Sequence, residues 1–205
     1  PERALAYAQR SLQLFETLQD ARMSATLRGN MAEILLEQGR AGEAEQLFKE
    51  GAAQLEHVGD KKLLPHLLAG IAEATLEQGD VDRAHIAGDR ALAMARQSDD
   101  MFALLVAERV SGRIASAQGR LEAAHQHFDT AMQIARTMPT AQASSRIAYE
   151  YARMLEASGD TLGAAVRYRE AYEMRKDESS RRNATPGGPS KFKETDPGDR
   201  AADTG

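Results

Sequence analysis

The sequence contains no cysteine and no tryptophan, and aromatic residues make up only 5 % of its 205 positions. Without cysteine the chain cannot form a disulfide, a thiolate metal site or a cysteine nucleophile. Because so few residues are aromatic, a β-sandwich is a poor fit, whereas a core built from alanine and leucine suits close-packed helices. No apolar run approaches the roughly 20 residues that a membrane-spanning helix needs. We therefore expect an all-helical cytoplasmic protein that makes no contact with membranes.

Strong positive charge is also missing. The formal net charge is −5, and neither the main part of the chain nor its last 29 residues is basic. Proteins that bind nucleic acid mainly through phosphate groups carry clustered lysine and arginine. The sequence therefore predicts no direct contact with nucleic acid.

Two stretches of the chain repeat each other at a distance of forty residues. Residues 32–39 read Ala-Glu-Ile-Leu-Leu-Glu-Gln-Gly, and residues 72–79 read Ala-Glu-Ala-Thr-Leu-Glu-Gln-Gly. The same spacing continues to Gly119 and Gly159, and an alanine stands five residues after each of the four glycines. A fixed period of this size is typical of repeat arrays. We predict a right-handed α-solenoid of stacked antiparallel helix pairs with about nine helices.

Apolar periodicity divides the chain into units. Residues 1–20 match the second half of a unit, so we expect the chain to be a fragment of a longer protein. Residues 177–205 are rich in proline, glycine and charge, and we predict that they form a disordered tail. Between them we predict four units at 21–60, 61–100, 101–140 and 141–176, with helices at about 22–37 and 41–57, 62–77 and 81–97, 102–117 and 121–137, and 142–157 and 161–176.

The second helix of each unit carries a small residue and, four residues later, a large one. The small residue is expected where this helix crosses the first helix at close range, and the large one should fill the space beyond. The second unit has Gly88 at the large position, so we expect a neighbouring residue to fill that space. The small residues are Ala44, Ala84, Ala124 and Ala164, and the large ones are Phe48, Phe128 and Tyr168.

This arrangement of small and aromatic residues around a turn glycine resembles the tetratricopeptide repeat. The forty-residue period is similar to that of kinesin light chains and of large bacterial regulators of the maltose-activator type. The sequence departs from the common pattern because no proline closes the second helix. The matching residues are Gly112, Ala115, Gly119, Ala124, Phe128 and Ala131 in the third unit, and Ala152, Leu155, Gly159, Ala164, Tyr168 and Ala171 in the fourth.

The resemblance implies that the first helices line a concave groove that binds a peptide or protein segment. On that geometry the groove has an acidic half and a basic half, and the arginines would grip carboxylates of the ligand. The alternative is a solvated face of mixed charge. The acidic residues are Glu33, Glu37, Glu73 and Glu77, and the other predicted site residues are Arg109, Arg113, Arg146, Tyr149 and Arg153.

We interpret the chain as an interaction scaffold, the C-terminal repeat region of a larger cytoplasmic regulatory protein. Two alternatives stay open. The first is an oligomerisation module, because an apolar stripe of Leu5, Leu12 and Phe15 in the opening half-unit lacks a partner helix and exposed stripes tend to be covered. The second is the effector-sensing arm of a transcriptional regulator, which would bind a small molecule.

Catalytic and metal-binding patterns are missing from the sequence. It has no glycine-rich phosphate loop, nucleophile elbow or His-Glu-x-x-His motif. The Glu33/Glu37 and Glu73/Glu77 pairs share a helix face, but no histidine follows any of these four glutamates by three residues as in di-iron bundles. His125 and His127 are predicted to be surface residues. We expect no enzymatic activity, no cofactor and no metal.

Overall fold

The computed structural model describes the backbone of residues 2–138 and 141–184 and the side chains of residues 2–138 and 144–176. These residues form nine α-helices and no β-strand. The helices are α1 (Glu2–Thr17), α2 (Ala21–Glu37), α3 (Ala41–Val58), α4 (Leu64–Glu77), α5 (Val81–Arg96), α6 (Met101–Ala117), α7 (Leu121–Thr137), α8 (Ala141–Ser158) and α9 (Thr161–Ala184).

Local sequence sets where these helices begin and end. The Asp20 carboxylate accepts a hydrogen bond of 2.9 Å from the backbone N–H of Met23, and Asp100 accepts two of 3.0 Å at the start of α6. Such caps satisfy backbone donors that have no partner inside the helix. The turn between the two helices of each pair contains a glycine with φ between 73° and 89°, a conformation that costs glycine little. These glycines are Gly39, Gly79, Gly119 and Gly159.

Helix α9 is longer than its sequence suggests. We placed its end at residue 176, but it continues to Ala184. The added residues include no proline or glycine, so nothing in their sequence breaks a helix until Pro186, which disfavours helical backbone in the residue before it. Residues 185–205, the rest of the predicted tail, lie outside the described residues.

The helices form two layers. The even-numbered helices α2, α4, α6 and α8 contact one another in sequence, and each also packs against its odd-numbered neighbours. In the described part of the chain the backbones of odd-numbered helices do not approach one another, and only long side chains such as those of Arg90 and Glu56 link them. The even helices therefore form the tighter, inner layer of a curved array. The predicted all-α solenoid of helix pairs is confirmed.

Small residues allow the two layers to pack closely. The alanines five residues after the turn glycines are at most 3 % exposed, and Phe48 and Phe128 are 3 % and 1 % exposed. At Gly88, which replaces the aromatic residue, an added Cβ would lie 2.7 Å from Cδ1 of Ile114. Ile114 of the next repeat therefore fills the space that phenylalanine occupies in the first and third units. This agrees with the prediction that a neighbouring residue fills the space beside Gly88.

Enlarging one of the buried alanines should strain the contact between α6 and α7. We expect Ala124→Leu to lower the free energy of unfolding by about 1–3 kcal/mol, because the added methylenes have no room. The measurement is urea unfolding followed by circular dichroism. Ala165→Leu, at an exposed position next to Ala164, is the matched control and should change stability by less than about 0.5 kcal/mol. Equal effects of the two changes would contradict close packing at Ala124.

Candidate functional site

All nine predicted site residues lie on the inner layer of helices. Among these residues α2 and α4 carry glutamates, α6 carries arginines, and α8 carries arginines beside Glu150. Glu33 and Glu37 lie on α2, Glu73 and Glu77 on α4, Arg109 and Arg113 on α6, and Arg146, Tyr149 and Arg153 on α8.

Arg109 is the centre of an ion-pair network between three inner helices. Its side chain is buried, with 5 % of the residue exposed. One terminal nitrogen lies 2.6 Å from Oε2 of Glu73 on α4, and the other lies 2.9 Å from Oε1 of Glu150 on α8. A guanidinium group can hold two carboxylates in this way because its donors form a rigid planar fork. Arg109 thus joins α4 and α8 through α6.

Two further arginines complete this network. Arg113 donates to Glu73 at 2.9 Å and also to Glu77. Arg146 on α8 donates to Glu73 at 2.6 Å and to Glu150 at 3.1 Å. The contact between Arg146 and Glu73 passes over α6 and joins residues two repeats apart, which requires strong curvature of the inner layer.

The network changes the interpretation of the predicted basic half of the groove. Three arginines meet three carboxylates, of Glu73, Glu77 and Glu150, so the cluster carries no net charge. Arg109 is too deeply buried to contact a ligand, and Arg113 and Arg146 are held by neighbouring helices. The sequence suggested projection into the groove because it identifies the face of a helix but not which charges of adjacent repeats come within reach.

Burial and charge act in opposite directions on the two central groups. Burial would raise the pKa of the Glu73 carboxyl, but the charges of Arg109, Arg146 and Arg113 outweigh burial and lower the pKa to about 2. Burial would lower the pKa of Arg109, but Glu73 and Glu150 raise that pKa above its ordinary value. Both groups therefore stay ionised at neutral pH, and the network holds its full charge.

Acid should weaken the network. The pKa of Glu73 in the folded protein lies below its ordinary value of 4.5, so its stabilising contribution is present above that value and is lost as the pH falls towards 2. Full protonation should remove up to about 3 kcal/mol of stability. Unfolding measured between about pH 6 and pH 2.5 should therefore show a smaller loss for Glu73→Gln than for the unchanged protein.

The control for this pH dependence is Glu122→Gln, at an exposed position on α7. We expect its stability to fall with pH as much as that of the unchanged protein. A Glu73→Gln variant with the same acid sensitivity as the unchanged protein would show that Glu73 is not held ionised by the network.

Glu33 and Glu37 on α2 differ from the other glutamates of the inner layer. Both are exposed, and no hydrogen bond or ion pair joins either of them to another described residue. Crowding by protein atoms raises the pKa of Glu33, as do the charges of Glu73 and Glu37, while Arg146 and Arg109 act against this rise. Glu33 has no arginine partner because the neighbouring inner helix α4 carries Glu73 at the facing position. Glu73, in contrast, faces the arginines of α6.

Tyr149 and Arg153 lie at the other end of the inner layer. Tyr149 is 52 % exposed, and its ring lies 5.6 Å from that of Tyr168 on α9. Arg153 is exposed and has no ion pair within the described part of the chain. The structure therefore does not bring these two residues into the network formed by the other predicted arginines.

The apolar stripe of α1 is partly covered. Leu12 packs against α2 and is only 4 % exposed, which corrects the expectation that it lacks a partner. Leu5 and Phe15 are half-buried. The large apolar residues that α1 and the turn after it expose are Tyr7, Leu14 and Leu18.

Two acidic residues with structural partners were missed at the level of sequence. Glu150 holds Arg109 and Arg146, although it lies beside the predicted site residue Tyr149. Glu108 is 3 % exposed and accepts from Arg96 at 3.0 Å and His127 at 2.6 Å. The partners of Glu108 lie on the adjacent helices α5 and α7, and Arg109, a partner of Glu150, lies on the preceding inner helix, so only the register between helices could have suggested these contacts.

The predicted histidine positions are also more engaged than a surface assignment implies. His127 binds Glu108, and Nδ1 of His125 lies 2.8 Å from the Tyr151 hydroxyl.

Over the residues whose side chains are described, no group of three potential metal ligands comes together. None of the described helices has the length and apolar character to cross a bilayer.

Comparisons with known proteins agree with this architecture. Residues 22–97 match the family model of the tetratricopeptide repeat. No curated protein is significantly similar in sequence. Structural similarity is broader and includes proteins of different origin.

Three solved structures show the extent of this similarity. BtubC (BKLC) from P. vanneervenii is 18 % identical with a TM-score of 0.67, over 86 % of this chain and 74 % of that one. The apo form of RapI is 17 % identical with a TM-score of 0.73, over 87 % of this chain and 48 % of RapI. A putative kinesin light chain from Podosopora anserina with nearly identical repeats is 13 % identical with a TM-score of 0.56, over 87 % and 96 %.

At these identities the structures show a shared fold. The family match covers two repeats, and the remaining described helices continue their geometry. Residues 22–97 therefore match tetratricopeptide repeats, and the described part of the chain has the fold of a helical repeat protein of that type.

Proposed function

We propose that the inner face of the array binds a protein segment carrying lysine or arginine, through Glu33 and Glu37. The repeats form a protein-interaction scaffold, as their family and fold indicate. Of the charged residues that we predicted on this face, these two glutamates and Arg153 have no partner among the described residues. A ligand can reach them without breaking an existing contact.

The two exposed carboxylates of Glu33 and Glu37, which have no partner among the described residues, are the observation that supports this proposal most strongly. Desolvation raises the pKa of Glu33, so its charged form is disfavoured where it stands. A cation placed beside it would compensate for the lost hydration and form a charge-assisted hydrogen bond. Glu37, one helical turn away on the same face, would let a guanidinium or ammonium group contact two carboxylates.

The ion-pair network has a different part in this proposal. Because Glu73, Glu77, Glu150 and the three arginines bind one another, they form a neutral cluster that links α4, α6 and α8. Helix α2, which carries Glu33 and Glu37, lies beside this cluster through its contact with α4. Arg109, Arg113 and Arg146 are held in the cluster, and in this proposal they do not contact the ligand.

A peptide array tests the charge preference. The probes are 15-residue peptides in which alternate positions are lysine or arginine, glutamate, or serine. We expect the purified protein to bind the basic peptides and to ignore the acidic and neutral ones. The double variant Glu33→Gln, Glu37→Gln should lose at least about tenfold in affinity for the basic peptides, because it offers no charge to pair with them.

The matched control removes the same net charge from another surface. Glu122 on α7 and Glu173 on α9 are exposed residues of the outer layer, and the double variant Glu122→Gln, Glu173→Gln should bind basic peptides as the unchanged protein does. Equal losses in both double variants would show general attraction to an acidic protein. Binding of acidic peptides that disappears on Arg113→Glu would support the basic groove predicted from sequence and contradict this proposal.

The wider context of the chain stays a prediction. A place in a larger cytoplasmic regulatory protein rests on the resemblance to such regulators, and neither alternative role is tested. Self-association through α1 would appear in light scattering as a mass that rises with concentration and falls on Leu14→Glu. A small-molecule effector would raise the melting temperature of the protein.

A further inference from the structure

Residues that lie forty apart occupy equivalent places in the array, and one such set is buried everywhere except at α9. Ala52, Leu92 and Met132 are 5 %, 8 % and 2 % exposed, where α4, α6 and α8 pack against the preceding outer helices. Tyr172 on α9 is 67 % exposed. In each earlier helix pair the next inner helix covers this position. In the α8–α9 hairpin the same position is exposed.

The inner helix of this hairpin shows the same contrast. Ala69 and Arg109, at the places equivalent to Tyr149, are 1 % and 5 % exposed, whereas Tyr149 is 52 % exposed. Its ring contacts the half-buried ring of Tyr168, at a centroid distance of 5.6 Å. We call the surface formed by Tyr149, Tyr168, Tyr172 and Arg153 the tyrosine face.

Charge on this face points to the character of its occupant. Arg153 is equivalent to Glu73, and Glu73 receives Arg109 and Arg113 from the next inner helix. Arg153 has no ion pair among the described residues. By the same geometry, a carboxylate on a helix covering α8 and α9 would come within reach of Arg153.

Shape supplies a second condition. Phe48 on α3, which is equivalent to Tyr168, lies against Gly70 of α4, where an added Cβ would come within 2.6 Å of three ring atoms. An aromatic residue at this place can therefore pack against glycine in the helix that covers it, whereas Phe128 at the equivalent place stacks on Tyr151 of α8. The covering helix needs an apolar stripe, because Ala52, Leu92 and Met132, the equivalents of Tyr172, are buried between repeats.

We propose that the tyrosine face docks an amphipathic α-helix of another protein, with an aspartate or glutamate opposite Arg153. This surface is separate from Glu33 and Glu37, which lie three inner helices away on α2. The two sites could therefore bind different parts of one partner or two partners.

The chain itself contains a helix that meets these conditions. Helix α4 has Gly70 at the crossing, Leu67 and Ile71 in its apolar stripe, and Glu73 at the place that would face Arg153. The probe is a labelled peptide with the sequence of residues 60–79, and the control peptide carries Glu73→Arg and Glu77→Arg. Fluorescence anisotropy with the full chain measures both affinities.

We expect the α4 peptide to bind at least about tenfold more tightly than the control peptide. Tyr172→Glu should reduce binding by a similar factor, because it places a charge in the apolar contact. Arg153→Glu should reverse the preference, so that the arginine-bearing peptide binds better. Tyr7→Glu, a change at another exposed tyrosine on α1, should leave both affinities unchanged.

Several results would overturn the proposal. They are absence of peptide binding, equal affinity for the two peptides, or an Arg153→Glu variant with unchanged preference. Self-association of the chain that Tyr172→Glu abolishes would make a second copy the occupant. Tighter peptide binding by Phe192→Ala would make residues 185–205 of the same chain the occupant. Whether basic peptides bind at Glu33 and Glu37 is measured in a different experiment. A negative result there would contradict the proposed function but not the proposal for the tyrosine face.

Discussion

Replacement of Arg109 by alanine is expected to lower the free energy of unfolding by about 3–5 kcal/mol. The guanidinium of Arg109 compensates the charges of Glu73 and Glu150, and its removal leaves these carboxylates short of a partner in a region that water hardly enters. Arg113 and Arg146 remain beside them but cannot occupy the same place. The buried stem of Arg109 adds lost packing to the lost charge.

Urea unfolding of Arg109→Ala and of a matched control measures this effect. The control is Arg90→Ala, which breaks an ion pair with Glu56 between two outer helices. Both partners of that pair are more than two-fifths exposed, so we expect a loss of no more than about 1 kcal/mol. Comparable losses in the two variants would mean that burial does not strengthen the network and that it does not hold the inner layer together.

Replacement of Phe128 by alanine is expected to cost about 3–5 kcal/mol. The ring is 1 % exposed and lies against Gly112, where an added Cβ would be 3.1 Å from two of its carbons. It also stacks on Tyr151 of the next repeat at a centroid distance of 5.1 Å. Alanine would remove this burial and leave a cavity between the two helix pairs.

Phe102→Ala is the control for this core variant. Phe102 lies at the start of α6, is 46 % exposed, and its ring centroid lies 5.4 Å from that of His66. We expect its loss to cost about 1 kcal/mol or less, measured by the same urea unfolding. If Phe128→Ala unfolds at nearly the urea concentration of the unchanged protein, the repeats do not depend on this contact.

Helix positions could be predicted because repeat spacing and turn glycines are local signals. The glycines at residues 39, 79, 119 and 159 have the positive φ that their turns require. The end of α9 could not be placed, because polar residues without proline or glycine fit a solvated helix as well as an irregular segment. Ile114 also escaped notice, since only packing shows which neighbour fills the space beside Gly88.

The candidate site could be predicted only as a face. Periodicity places Glu33, Glu73 and Arg109 on the inner side of their helices, and the structure agrees. Which charges meet depends on the curvature of the array, and Arg146 reaches Glu73 across a whole repeat. The sequence of a single repeat cannot show this contact. An arginine that binds a neighbouring helix therefore cannot be told apart in sequence from an arginine that is free to bind a ligand.

Backbone amide chemical shifts in the presence of a basic peptide test the central claim most directly. The protein is labelled with nitrogen-15, and the peptide is the strongest basic binder from the array. We predict that the largest shift changes cluster on α2 around Glu33 and Glu37 and on the facing side of α4, with the outer helices α3, α5 and α7 unchanged. Shift changes confined to the outer helices, or spread evenly over the acidic surface, would contradict binding on the inner face.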